Sequence, residues 1–248
     1  MSKLEIKNLK VEIEDGVVVN DTSLSVASGE IHILMGLNGS GKSSLLNAVM
    51  GHPNFKITGG EIALDGEEIT NLKTNDKAKL GLFLSMQHIP EIAGVTMVSF
   101  LHRAHKILTN EDISVFDFYK ILEEKANELN IDSGLLKREL NVGFSGGEKK
   151  QAELLQLVAL APKFAMLDEM DSGVDSDATV KIFNGIKKLT DNGTGFILVT
   201  HYSTILNHIT PDFVHVMNGG KIIHSGGSEL VSEITQNGFQ QIIDDKIK

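Results

Sequence analysis

The sequence predicts an α/β fold, a core of short apolar strands and helices interrupted by an inserted helical lobe. Three observations carry this. Short apolar runs stopped by glycine or polar residues recur in both halves of the chain, at 31–35, 61–65, 82–86, 164–167, 196–200, 214–217 and 221–224. One of them, IHILM, ends at Gly36 and passes through a glycine-rich loop straight into a helix-forming stretch, 43–50. Between them, the apolar spacing changes to a helical period.

Taken in order, residues 4–14 alternate in the manner of a strand, and 23–27 read similarly. In the middle, Phe116, Tyr119, Leu122, Ala126 and Leu129 fall at helical spacing, as do Leu154, Leu157, Val158 and Ala161. The layout is an α/β core, residues 1–88 and 160–248, with a helical subdomain, 89–159, inserted. The segment 89–95 is mostly apolar, but Pro90 and Gly94 make it read as an irregular loop. Ile89, Ile92 and Val95 either cover a partner surface or pack inward. The closing IIDDKIK reads as a frayed amphipathic helix.

Composition narrows the function. The 248 residues suit one large domain or a core with an insertion. The net charge of −10, from 33 acids against 23 Lys and Arg, argues against a duplex nucleic acid as partner. With no cysteine, the chain forms no disulfide and no thiolate-held metal or cluster. The opening MSKLEIKNLKVEIED is charged and alternating, unlike a secretion signal. No apolar run approaches the ~20 residues that span a bilayer. A cytoplasmic location without direct membrane insertion is expected.

The most specific chemistry lies at Gly36-Leu37-Asn38-Gly39-Ser40-Gly41-Lys42-Ser43, which fits the phosphate-binding pattern G-x-x-x-x-G-K-[ST] at every fixed position. Glycines let successive N–H groups turn inward on phosphates, and the following helix adds its positive end. Lys42 is placed for the β- and γ-phosphates of ATP, and the Ser43 hydroxyl, followed by Ser44, for Mg²⁺. The apolar run 164–167 ends in Asp168-Glu169. Asp168 suits the Mg²⁺ shell, and Glu169 suits a general base that polarises the attacking water.

These residues resemble the ATP-binding-cassette family over essentially the whole chain. Phe144-Ser145-Gly146-Gly147-Glu148 is similar to its LSGGQ signature, with Phe for Leu and Glu for Gln. By itself Ser-Gly-Gly is a flexible turn. Here it follows the helical stretch and precedes a helix. The resemblance implies a P-loop NTPase core with an inserted helical subdomain and an antiparallel β region. It also implies ATP hydrolysis in a head-to-tail homodimer formed on ATP binding, where Ser145, Gly146 and Gly147 receive the γ-phosphate held by the other copy. Gln87 matches the Q-loop glutamine that touches Mg²⁺ and the attacking water. Residues 171–175, ending in Asp175, match the D-loop at the dimer interface, and His201 matches the switch histidine.

Within the family, NVGFSGGEKK (141–150), LDEMDSGVDSDA (167–178) and VTHYSTIL (199–206) are similar to the SufC-type ATPases of iron–sulfur cluster assembly. That likeness implies a SufB/SufD-type scaffold as partner. The alternative is the ATP-binding subunit of an ABC transporter. One departure stands out: many members stack adenine on an aromatic upstream of the loop, and here no aromatic precedes Phe55. His102 and His105 read as solvated imidazoles or as a metal pair lacking a third ligand. Lys149 and Lys150 read as an exposed helix face or as a resting partner for Glu169.

Overall fold

The computed structural model describes residues 1–14, 16–85, 89–170, 172, 176–200 and 203–247. In chain order the strands are β1 (Lys3–Ile13), β2 (Gly16–Ala27), β3 (Ile31–Met35), β4 (Lys56–Leu64), β5 (Glu67–Glu68), β6 (Leu82–Ser85), β7 (Ile92–Thr96), β8 (Glu139–Leu140), β9 (Phe164–Asp168), β10 (Gly195–Val199), β11 (Phe213–Asn218) and β12 (Lys221–Gly226). The helices are α1 (Lys42–Met50), α2 (Thr74–Lys79), α3 (Met97–Thr109), α4 (Val115–Glu128), α5 (Gly146–Leu160), α6 (Ser176–Asp191) and α7 (Glu229–Ile247).

Two sheets share the core. One is antiparallel, in the order β2-β1-β4-β5. The other runs β12-β11-β3-β10-β9-β6, parallel except for β12 at its edge. Strands β3, β9 and β10 are buried at every residue, so both of their faces are covered. Alternation sends Ile33 and Val214 towards α5, α6 and α7, while Leu34 and Met217 face α1 and the antiparallel sheet. Lys77 of α2 is fully buried; its ammonium donates to the carbonyls of Val49 (2.8 Å) and Thr70 (3.3 Å), anchoring the C-terminal end of α1.

Helices α3, α4 and α5 bury Leu101, Phe118, Leu122, Ala126 and Leu154 against one another. Here the sequence expectation is corrected. The inward face of α4 begins at Phe118, whereas Phe116 is 67% exposed, with the Lys120 ammonium 4.3 Å above its ring. The segment expected as an irregular loop contains a strand. β7 pairs with β8 at Ile92–Leu140 and Thr96–Glu139, and the bulge between them turns on Gly94 at φ 79°. Ile92 and Val95 are both exposed, which removes the inward-packing option for these two.

Three smaller readings also change. The C-terminal segment is not simply frayed, because Ile242 and Ile243 of α7 are buried beyond a break at Gly238. His102 donates to the Ile113 carbonyl at 2.8 Å and His105 to the Glu111 carboxylate at 3.1 Å, which ties the 110–114 turn to α3. Lys149 and Lys150 are not a bare solvated face: they reach Glu91 (2.7 Å) and Glu153 (3.4 Å). Among the described residues no helix is long and apolar enough to cross a membrane.

Candidate active site

The loop between β3 and α1 is shaped by close backbone approach. A Cβ on Gly36 would lie 2.2 Å from the Met217 carbonyl oxygen, and one on Gly41 2.5 Å from that of Val18. Gly41, at φ 105°, also starts α1, where no side chain caps the first turn. The β11–β12 turn braces the loop: Gly220 N–H donates to the Ser40 carbonyl (2.9 Å), and the Gly220 carbonyl accepts from Asn20 N–H and the Thr22 hydroxyl. The result is a cavity of about 470 Å³ at the N-terminus of α1, lined by residues 38–44 with Val18 and Glu169. Open N–H groups and the helix dipole make it receptive to phosphate.

Lys42 folds its ammonium over the loop, donating to the carbonyls of Gly36 (2.8 Å) and Leu37 (3.0 Å). Burial lowers its pKa, while Glu169 and Asp168 oppose that shift. Asp168, at the end of β9, is 3% exposed. Burial raises its pKa, against a hydrogen bond from the Ser43 hydroxyl and the charge of Lys42. Its Oδ1 is buried without a hydrogen-bond partner among the described residues. An unmet carboxylate oxygen beside a serine hydroxyl is the hard oxygen set that Mg²⁺ takes. Glu169 leaves the strand direction at φ 52°, uncommon for a non-glycine residue, and lines the cavity.

The second glycine-rich segment is elsewhere. Ser145 caps α5 in a capping box: Glu148 N–H donates to Ser145 Oγ (3.2 Å), and Ser145 N–H to Glu148 Oε2 (2.7 Å). Ser145 and Gly146 are exposed, and a Cβ on Gly146 or Gly147 would meet nothing within 4 Å. None of these three residues lines the phosphate cavity of its own chain.

With this geometry in place, comparison with known proteins is decisive. The family described as ABC transporter matches residues 19–172. The chain belongs to that family. It is 44% identical to vegetative protein 296 of Bacillus subtilis over 97% of this chain and 93% of that protein. It is 45% identical to the probable ABC transporter ATP-binding protein SpyM3_0208 of Streptococcus pyogenes, over 99% and 96%. The probable ATP-dependent transporter slr0075 of Synechocystis is 41% identical over 95% and 94%. Among solved structures, the ADP conformation of the cassette MJ1267 superposes with a TM-score of 0.77 at 25% identity, covering 98% of each chain. An ATP-binding subunit of an ABC transporter gives 0.80 at 21% over 99% of each, a likeness of fold.

In this ABC ATPase, the structure gathers Asn38–Ser44 and Glu169 around one cavity, with the Gly36 and Leu37 carbonyls accepting from Lys42 and Asp168 tied to the Ser43 hydroxyl, and sets Ser145–Gly147 apart. Gln87, Asp175 and His201 lie outside the described residues. Two contributors went unread in the sequence. Val18 supplies an aliphatic wall of the cavity, and Gly220 braces the loop. The Asn218-Gly219-Gly220-Lys221 turn was the available signal for the second; nothing local marked Val18. A separate apolar groove of about 420 Å³ runs between the core and the helices, lined in part by Leu82, Phe83, Leu84, Leu108 and Leu160.

Proposed function

We propose that two copies of this ATPase close head-to-tail around two Mg-ATP molecules and that the closure reshapes a scaffold of the SufB/SufD type. One observation carries the dimer. The helix end at Ser145-Gly146-Gly147 is built like a phosphate site, is open and exposed, and does not line its own chain's cavity. Its glycines answer no packing need within the chain, so their small size suits a close approach from outside.

In the closed pair, Lys42 and the loop N–H groups hold the β- and γ-phosphates of one ATP. The Ser145 hydroxyl and the Gly146 and Gly147 N–H groups of the other copy reach the same γ-phosphate. Ser43, Asp168 and Gln87 would hold Mg²⁺, which supplies charge neutralisation of the phosphates. Glu169, turned into the cavity, accepts the proton of the attacking water. By the family resemblance, Asp175 would belong to the interface and His201 would sense the γ-phosphate. Nucleotide state then moves the helical subdomain, 89–159, against the core, 1–88 and 160–248. Ile92 and Val95, exposed on the strand that leads into α3, belong to the surface offered to the scaffold.

Support for the scaffold comes from NVGFSGGEKK and its companion stretches. A second reading, the ATP-binding subunit of a transporter, is favoured by the names of the relatives. Two experiments decide. Lys42→Ala and Ser145→Arg chains are mixed: a head-to-tail heterodimer gathers both defects in one site and leaves the other intact, so partial rescue of hydrolysis is expected. No rescue at any ratio, with both chains folded, refutes the sandwich. Affinity purification from native lysate, with the bound proteins identified by mass spectrometry, is expected to recover a SufB-type scaffold. Recovery of a multi-span permease instead selects the transporter.

A further inference from the structure

We infer that Arg138 is a positioning residue for the signature segment, neutralising Glu148 so that the open end of α5 stays receptive to a phosphate carried by a second copy. The inference rests on the head-to-tail reading.

Position 148 holds Glu where the signature pattern has Gln. For the helix alone the exchange is favourable, because a carboxylate at the third position completes the capping box and complements the dipole. For an incoming phosphate it is unfavourable, since it puts a like charge at the same helix end. Ser145 N–H and Arg138 both hold Glu148 below the usual carboxylate range, so it is ionised at neutral pH.

The structure contains the compensating charge. Arg138 Nη1 donates to Glu148 Oε1, Nη2 donates to the Gly143 carbonyl at 3.1 Å, and the guanidinium carbon lies 4.2 Å from the centre of the Phe144 ring. Three contacts fix the plane of one side chain across the residues that lead into Ser145. The flanking lysines are already engaged, Lys149 with Glu91 and Lys150 with Glu153. Both oxygens of Glu148 are taken, Oε1 by Arg138 and Oε2 by Ser145 N–H. The N–H groups of Gly146 and Gly147, which have no acceptor within the helix, remain for a ligand. As a half-exposed pair, Arg138–Glu148 contributes little to folding. Its effect is on the local potential.

The test is a mutant cycle in the full chain: wild type, Arg138→Gln, Glu148→Gln and the double variant, each assayed for ATP hydrolysis at fixed protein concentration and for ATP binding to the isolated chain. Arg138→Gln leaves a bare carboxylate facing the phosphate and is expected to lower hydrolysis about tenfold. ATP binding by the chain's own loop is unchanged. Glu148→Gln stays within about threefold of wild type, and the double variant returns to within about threefold of Glu148→Gln. A double variant as slow as Arg138→Gln overturns the inference, because Arg138 would then serve only as a strut for Gly143 and Phe144. Where Arg138→Gln melts early, Arg138→Lys decides: it retains the charge and is expected to keep most of the activity, and a fall of about tenfold overturns the inference. Rescue in the Lys42/Ser145 mixture without rescue in this cycle removes the role of Arg138 alone. Failure of the mixture removes the reading beneath it.

Discussion

His32 Nδ1 and His215 Nε2 lie 3.0 Å apart inside the parallel sheet, and their neighbours fix both tautomers. The Glu30 carboxylate accepts from His32 Nε2–H at 3.0 Å. With His32 kept neutral by burial, its Nδ1 accepts from His215 Nε2–H, and His215 Nδ1 accepts from the Ser225 hydroxyl at 2.8 Å. In this arrangement every ring nitrogen is satisfied with both rings neutral. Burial holds His32 below its usual pKa, and burial together with His32 pushes His215 to about 4. The unfolded chain takes up a proton near pH 6.5 that folded His215 refuses until about 4. Stability is therefore constant above that window and falls as pH drops through it, by up to about 3 kcal/mol. His215→Gln keeps one donor and one acceptor but cannot titrate. Its melting temperature should fall less steeply than wild type between pH 6.5 and 4; parallel curves contradict the assignment.

Glu169→Gln preserves shape and removes the basic carboxylate at the cavity wall. Hydrolysis should drop by ~10²–10⁴ while ATP binding survives. ATP-loaded protein should then accumulate as a dimer on gel filtration. Turnover near the wild-type rate eliminates Glu169 as the base.

Two glycine substitutions separate packing from assembly. Gly41→Ala places a Cβ 2.5 Å from the Val18 carbonyl at φ 105°, so ATP affinity should fall at least about tenfold in the isolated chain. Gly146→Ala meets nothing and suits a first helical turn. It should leave melting and ATP binding unchanged and still reduce hydrolysis. Unimpaired hydrolysis in Gly146→Ala would show that no second copy approaches there.

Ile92→Asp adds a charge to the exposed strand β7 without disturbing the core. Scaffold affinity should weaken by about 30-fold, the scale of a truncated interface anchor, while ATP affinity stays within about twofold. Calorimetric titration of the purified scaffold checks this, and wild-type affinity means the docking surface is elsewhere.

The phosphate loop was legible because its spacing is dictated by phosphate geometry, and Asn38 through Ser44 line the cavity it forms. The alternating α/β pattern was legible because buried parallel strands leave largely apolar runs such as 31–35 and 164–167. Residue 116 misled because two phenylalanines two positions apart fit different helical stripes, and only tertiary packing selected Phe118. β7 was missed because Gly94, a bulge residue, carries the same local signal as a loop. The wall at Val18, the brace at Gly220 and the His32–His215 pair depend on contacts distant in sequence, which no local period encodes.

Strand β3 lies between β10 and β11, and the Ser40 carbonyl takes its bond from Gly220. On the ribosome, the phosphate loop is therefore synthesised well before the strands and the turn that hold it. Until residues 195–199 emerge, β3 has no neighbour in its sheet, and until Gly220 emerges the loop lacks its brace. The long-range pairing carries the loop-closure cost that slows folding of such sheets. Nascent chains ending before Gly220 hold the whole phosphate motif without its brace, so nucleotide is expected to stabilise only chains that have emerged past it.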